Sequence, residues 1–469
     1  MNFSSLEFVI FAALFFGGWS VIRARAPKTI AWSYLAIASL VFYGWWNPKN
    51  VVVLVAITTA NYGCGLLITR YRRAGLALAI AAAVAPLIAF KYLRFFAEVL
   101  HVNPKIVPHW PVPLGISFIS LSAISYAIDV FTEETQPTKN VAQHFSYLAL
   151  FPVMVAGPIV RAGEMLPQLA KLPPVTPEQR WLALRWITYG LVKKCIVADH
   201  IASFTNQIYD ETFIPPPYAG VWWFTAVLFA IQLYCDFSGY TDIARGLGRW
   251  IGLELPENFN HPFLATGFAD FWGRWNISFT NWLRDYIYFP LARWWYPSKL
   301  GAVGAVMITF LVSGLWHGAA WTFVVYGLLH GVLIILEHVT KWNIRLAALP
   351  GGRYVVSFVV FICLCLLLVV FRAENVERAV SIWKIMFSFH AADYSWITRD
   401  RLSQIEPLWL VLPALFVIIE LRHVFQFDSS KLAIAVRERI DLGWLAIAVL
   451  LLASVYLRGS SAAFIYAGF

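Results

Sequence analysis

The chain has 469 residues, of which 60% are hydrophobic and 13% charged, with 22 Trp, 20 Tyr, 36 Phe and a formal net charge of +10. Soluble domains carry about 25% charged residues, so this composition excludes a soluble protein. The positive charge does not point to nucleic acid either, because Lys and Arg fall largely between apolar runs, where membrane loops meet anionic lipid.

Three early apolar runs, Phe8 to Ile22, Ile30 to Trp46 and Val51 to Thr69, are predicted to cross the membrane. The first lacks a basic leader and an evident small-residue cleavage site, so it reads as a retained helix rather than a signal peptide. Arg23, Arg25 and Lys28 follow the first run, only Lys49 the second, and Arg70, Arg72 and Arg73 the third. Basic connections stay in the cytoplasm, which places the N-terminus outside. A fourth run, Ala74 to Phe90, ends at Lys91 and Arg94.

Leu114 to Ile128 and Phe145 to Val160 are moderately apolar, whereas Trp181 to Tyr209 is helix-like but carries Arg185, Lys193, Lys194 and Asp199. Lipid does not tolerate such charges unpaired, and the two lysines are expected to snorkel at the cytoplasmic boundary. Phe213 to Cys235 is uncharged and runs into DFSGYTDIARGLGRW. Residues 254–299 mix polar, basic and aromatic side chains with no span of transmembrane length, which predicts a cytoplasmic-side interfacial or re-entrant segment, either a large loop or a set of short helices.

Leu300 to Leu336 follows, 37 residues with no Asp, Glu, Lys or Arg. It is long enough for two spans, with a break expected at Ser313–Gly314. Tyr354 to Phe371, Pro407 to Ile419 and Gly443 to Leu457 supply the last apolar runs. The five cysteines lie in or beside apolar segments without metal-ligand spacing, and no metal is expected. Together these features predict one integral membrane domain, residues 1–469, that is all-α and polytopic. It should have about ten to twelve transmembrane helices, with short re-entrant or interfacial helices.

Three groups of residues compete for chemistry. His317 and His330 interrupt the longest apolar run, and an ionisable group at membrane depth is a functional candidate by default. On one continuous helix they would lie about 20 Å apart and point roughly 220° away from each other, too far to share a proton or a metal. His317, beside Trp316 and the expected break, is the stronger candidate for a general base, and His330 for a buried structural histidine. The second group is FWGRWNISFTNWLRDYIYFPLARWW, where Arg274, Trp275, Arg284, Arg293 and Lys299 suit phosphate groups and a planar ring, or else form an interfacial belt. Asn276 offers a donor and an acceptor but no titration. The third group is Asp236, Tyr240 and Asp242, expected in a buried hydrogen-bond network.

Around these residues the chain resembles the membrane-bound O-acyltransferases, and within them the bacterial branch that contains the alginate O-acetyltransferase membrane subunit. The resemblance is carried by SLVFYGWWNP (39–48), PLGISFISLSAISYAIDV (113–130), FPVMVAGPIVR (151–161), YGLVKKCIVAD (189–199) and QLYCDFSGYTDIARGLG (232–248). It continues through ENFNHPF (257–263), FWGRWNISFTNWLRDYIYFPL (271–291), SGLWHGAAWTFVVYGLLHG (313–331), FRAENVERA (371–379) and the terminal FIYAGF.

The resemblance implies that His317 matches the catalytic histidine. Asn276 falls on a second signature position that is His in many alginate-type members, so a two-histidine scheme does not carry over and His317 alone is expected to act as base. It further implies acetyl-CoA as cytoplasmic co-substrate, with no permanently bound cofactor. The acceptor would be a hydroxyl of an extracytoplasmic polysaccharide, or of a partner protein that modifies it, at the bacterial inner membrane. The resemblance also implies a central tunnel between the helices; Arg274, Trp275, Arg284, Arg293 and Lys299 would then meet the donor, while Asp236, Tyr240, Ser313, Trp316 and His330 would be structural or line that tunnel. D-alanyl transfer to teichoic acid and peptidoglycan O-acetylation keep the same chemistry. A proton-coupled transporter is the alternative of another class, against which stands the absence of paired, interrupted spans in two halves.

Overall fold

A computed structural model describes residues 1–103, 106–108, 110–210, 218–388 and 411. The expected runs at Pro407 to Ile419 and Gly443 to Leu457 and the terminal FIYAGF lie outside them, apart from Val411. The described residues form helices and loops, with one isolated antiparallel bridge between Phe259 and Trp275 and no strand.

The early runs become α1 (Leu6–Arg25), α2 (Lys28–Gly44), α3 (Pro48–Ile68) and α4 (Arg72–Leu87), and α4 passes through a π turn, Ile88–Tyr92, into α5 (Leu93–Val99). Then come α6 (Ile116–Phe131), α7 (Val141–Leu148), α8 (Ala162–Lys171), α9 (Pro177–Leu191) and, after a second π turn at Val192–Ala198, α10 (Asp199–Tyr209). The 33-residue α11 (Ala219–Ile251) is the buried pillar of the bundle, packed by α9, α10 and α18. The short helices α12 (Phe268–Trp272), α13 (Ile277–Leu283) and α14 (Phe289–Trp294) precede α15 (Lys299–His317), α16 (Trp321–Thr340), α17 (Trp342–Ala347), α18 (Gly352–Arg372) and α19 (Val376–Met386).

Among the described residues, seven helices are long and apolar enough to cross a membrane: α1, α3, the continuous α4–α5 helix, α11, α15, α16 and α18. Of the two forms expected for residues 254–299, a large loop or short helices, the segment takes the second, with α12, α13 and α14.

Two local expectations are corrected. Lys193 and Lys194 do not snorkel: Lys193 pairs with Asp242 at 2.8 Å, and Lys194, 6% exposed, pairs with Asp199 at 2.9 Å and with Asp236. The π turn that carries both lysines packs along α11 and faces them toward its carboxylates. A buried lysine is tolerated because its partners are buried with it.

The apolar hairpin also does not break at Ser313–Gly314. Helix α15 runs through both residues to His317 and ends at the extended Gly318. Gly314 is there for packing instead, since a Cβ on it would lie 2.2 Å from the Phe323 carbonyl, and one on Gly327 would lie 2.2 Å from the Phe310 carbonyl. These two glycines let α15 and α16 touch backbone to backbone.

Candidate active site

The hairpin determines where the two histidines go. His317 is the last residue of α15 and His330 lies in the middle of α16, so the turn at 318–320 brings back together two side chains that a continuous helix would hold apart. Tyr326 stands between them, its ring 5.9 Å from that of His317 and 4.6 Å from that of His330, edge-on to both. His317 is 3% exposed and ringed by Trp316, Phe279, Phe323 and Phe371. His330 is fully buried; its Nδ1 accepts from Trp272 Nε1 at 3.3 Å, while its Nε2 has no partner among the described residues.

A helix end leaves carbonyls without intrahelical partners. At the end of α15 these are taken by side chains from the π turn after α4. Lys91 Nζ donates to the Trp316 carbonyl at 2.7 Å and to that of His317 at 3.3 Å, and also reaches Ser117 Oγ at 3.3 Å. Tyr92 donates its hydroxyl to the Leu315 carbonyl at 2.7 Å. The π geometry presents two adjacent residues to one target, and a cation at a helix C-terminus also meets the negative end of its dipole. Lys91 and Tyr92 therefore clamp the helix end that carries His317. Sequence reasoning missed both, although a lysine closing an apolar run was a signal.

Asn276 sits before α13 in the left-handed region, φ 44°, which Asn tolerates better than most residues. It is 1% exposed, and neither side-chain atom has a hydrogen-bond partner among the described residues. An Asn at this position would ordinarily cap the helix. Here Asn258 does so: its carbonyl accepts from Ile277 N and its Oδ1 from Ser278 N, both at 3.0 Å. Asn258, part of the ENFNHPF stretch but given no role there, thus leaves the Asn276 amide uncommitted. One turn along α13, Phe279 stacks on Trp316 with ring centroids 4.2 Å apart and lies 6.2 Å from the His317 ring. Asn276 and the Phe279 ring that meets His317 thus lie three residues apart at the start of one helix.

The Arg–Trp segment divides in two. Trp275 is buried against Phe259 and Phe271, and Trp272 and Trp282 are buried as well. Arg274 donates Nε to Asp270 at 2.7 Å. Arg284 is half-exposed beside Asp285, and Arg293 and Lys299 are exposed. Arg161 pairs with Asp285 from the other side. Burial alone would raise the Asp285 carboxyl, but the hydrogen bonds and charges of Arg284 and Arg161 outweigh it and hold the group below its ordinary range. Asp236 belongs to the buried ion pair with Lys194, and Tyr240 stacks on Phe3 at 4.7 Å. Ser313 and Trp316 are buried on the His317 helix.

The family model for membrane-bound O-acyltransferases matches residues 117–372, which contain His317, His330, Asn258 and Asn276. A probable alginate O-acetylase of Azotobacter vinelandii is 32% identical over 448 residues, covering 92% of this chain and 87% of that protein. A peptidoglycan O-acetyltransferase of Helicobacter pylori is 31% identical, covering 83% and 81%. A teichoic acid D-alanyltransferase of Bacillus subtilis is 27% identical, covering 59% and 71%.

Proposed function

We propose that this chain, which belongs to the membrane-bound O-acyltransferase family and is an O-acyltransferase, moves an acetyl group from acetyl-CoA to a hydroxyl of an extracytoplasmic polysaccharide, or of a partner protein that modifies it. The observation that carries this reading is a base candidate, His317, at a clamped helix end, with the Phe279 ring 6.2 Å from its own and the uncommitted buried amide of Asn276 three residues before Phe279.

The chemistry follows from these groups. A neutral imidazole at His317 takes the acceptor hydroxyl's proton as that oxygen attacks the thioester carbonyl. Asn276 Nδ2 donates to the oxyanion that develops. When the carbon–sulfur bond breaks, the proton passes from His317 to the departing thiolate, which regenerates the base. Tyr326 and His330 would complete the wall behind His317, and the exposed Arg284, Arg293 and Lys299 would meet the phosphates of the donor, with Arg274 and Trp275 holding the segment in place. Ser313 and Trp316 would flank a tunnel that leads from donor to acceptor. The basic residues after α1 and α3 support a bacterial inner-membrane protein with its N-terminus outside.

The Helicobacter relative, similar over most of both chains, favours a second reading of the same chemistry with peptidoglycan as acceptor. The two are separated by incubating the purified enzyme and labelled acetyl-CoA with deacetylated alginate-type polysaccharide and with peptidoglycan sacculi. Base-labile label on the polysaccharide supports the first acceptor, and label on the sacculi supports the second. Thiol release without label on either points to a partner protein as the immediate acceptor. No label and no thiol release with every acceptor contradicts acetyl-CoA as donor.

A further inference from the structure

A cavity of about 360 Å³, which none of the residues of the His317 cluster lines, lies where the end of α1 meets the start of α9 and the end of α11. This volume falls in the range of small-molecule sites, about 300–1,000 Å³. Its lining includes two guanidinium groups, Arg23 and Arg180, and three aromatic rings, Phe16, Trp19 and Trp250, with no carboxylate.

Arg23 is held in place. Its Nη1 donates to the Ile251 carbonyl at 2.6 Å, and Trp19 Nε1 donates to the same oxygen at 3.1 Å. Gly252, with φ 101°, lies so close that a Cβ there would be 2.7 Å from the guanidinium nitrogens. Arg23 Nη2 is buried with no partner among the described residues. The neighbouring charge that acts on Arg23 is Arg180, of like sign. Neither arginine has a carboxylate partner among the described residues. A cavity of about 140 Å³ next to it offers a contrast, because there Arg249 is balanced by Glu254 at 2.7 Å. Arg180 is exposed and water screens its charge, but Arg23 is half-buried with a buried nitrogen to satisfy, and paired guanidinium groups match phosphate oxygens closely.

We propose that this cavity binds a phosphate ester, with the arginines on its oxygens and the aromatic rings beside its organic part. The surroundings favour a phospholipid headgroup as the source. Helix α1 is long and apolar enough to span the membrane and exposes Leu14 and Val21, and Trp rings at the ends of spans mark the headgroup level. The site is separate from the acyl-transfer residues and from the donor-binding residues proposed above.

The test is native mass spectrometry of the full chain in detergent, titrated with phosphatidylglycerol, with phosphatidylcholine and with glycerol 3-phosphate. Arg180 makes no side-chain hydrogen bond among the described residues, so Arg180→Gln should leave the fold intact; Arg25→Gln, an exposed arginine outside the cavity, is the control. Phosphatidylglycerol should stay bound to wild type and to Arg25→Gln, and Arg180→Gln should weaken it about tenfold. Glycerol 3-phosphate binding that is lost in Arg180→Gln, without preference for the lipid, would keep the phosphate site and assign it a soluble ligand. Absence of binding by either probe, unchanged binding in Arg180→Gln, or equal loss in both variants would overturn the proposal.

Discussion

Lys91→Met tests whether the clamp on α15 serves catalysis. The substitution keeps the length of the side chain but removes the charge and its three oxygen partners, two of which are the last carbonyls of the helix that ends at His317. A hydrogen bond to a charged group contributes about 1.5–3 kcal/mol. Tyr92 remains on Leu315, so the helix should persist while its last residue becomes less ordered. If that loss falls on the transition state, where a base must be held in place, it corresponds to a drop in kcat of about 10–100-fold, since about 1.4 kcal/mol is tenfold in rate. The assay is thiol release under saturating acyl-CoA, with KM for the donor and thermal stability measured in the same preparations. Lys91→Arg, which retains the charge, should recover part of the rate. A folded Lys91→Met with kcat within about twofold of wild type would refute the reasoning, because the loss would then be structural only.

Four further outcomes are expected. Asn276→Ala should lower kcat by about 10²–10³-fold with little change in donor KM, as for loss of an oxyanion donor, measured by the same thiol assay. His330→Ala should leave measurable turnover while His317→Ala does not, and equal loss in two folded, well-expressed variants would contradict that ranking. Gly314→Ala should cost about 1–3 kcal/mol by forcing α15 and α16 apart, whereas Gly63→Ala, which meets nothing within 4 Å, should not lower the melting temperature comparably. The lowered Asp285 carboxyl contributes stability that is fully present above its unfolded pKa, about 3.9, and is lost as pH falls through the folded value. The melting-temperature gap between wild type and Asp285→Asn should therefore hold near neutrality and close below about pH 4.

Much of this was legible in the sequence because a membrane makes charge conspicuous. His317 stood out as an ionisable group inside an uncharged run, and residues 254–299 read as a large loop or short helices because no hydropathy window there is long enough to span. What was not legible depends on which side chains meet across helices. Lys193 and Lys194 looked like boundary residues because Asp242 and Asp236 lie 49 and 42 positions away and meet them only once α11 packs alongside; Asp199, five positions from Lys194, is the one partner nearby in the chain. Gly314 looked like a break because a glycine that ends a helix and one that admits a neighbouring backbone are the same letter. Lys91 looked like the end of a span, and only the π turn after α4 shows that it reaches the end of another helix. Trp275 read as part of a surface because aromatic belts and buried aromatic clusters have the same composition.

The most direct test of the central claim, that His317 is the base of an acetyl-CoA-dependent acyl transfer, is thiol release from acetyl-CoA by the purified protein in nanodiscs with crude cell-envelope acceptor, comparing wild type with His317→Ala of matched thermal stability. Release by wild type and its loss in the variant is the expected result. Equal release by both proteins would contradict the assignment of His317.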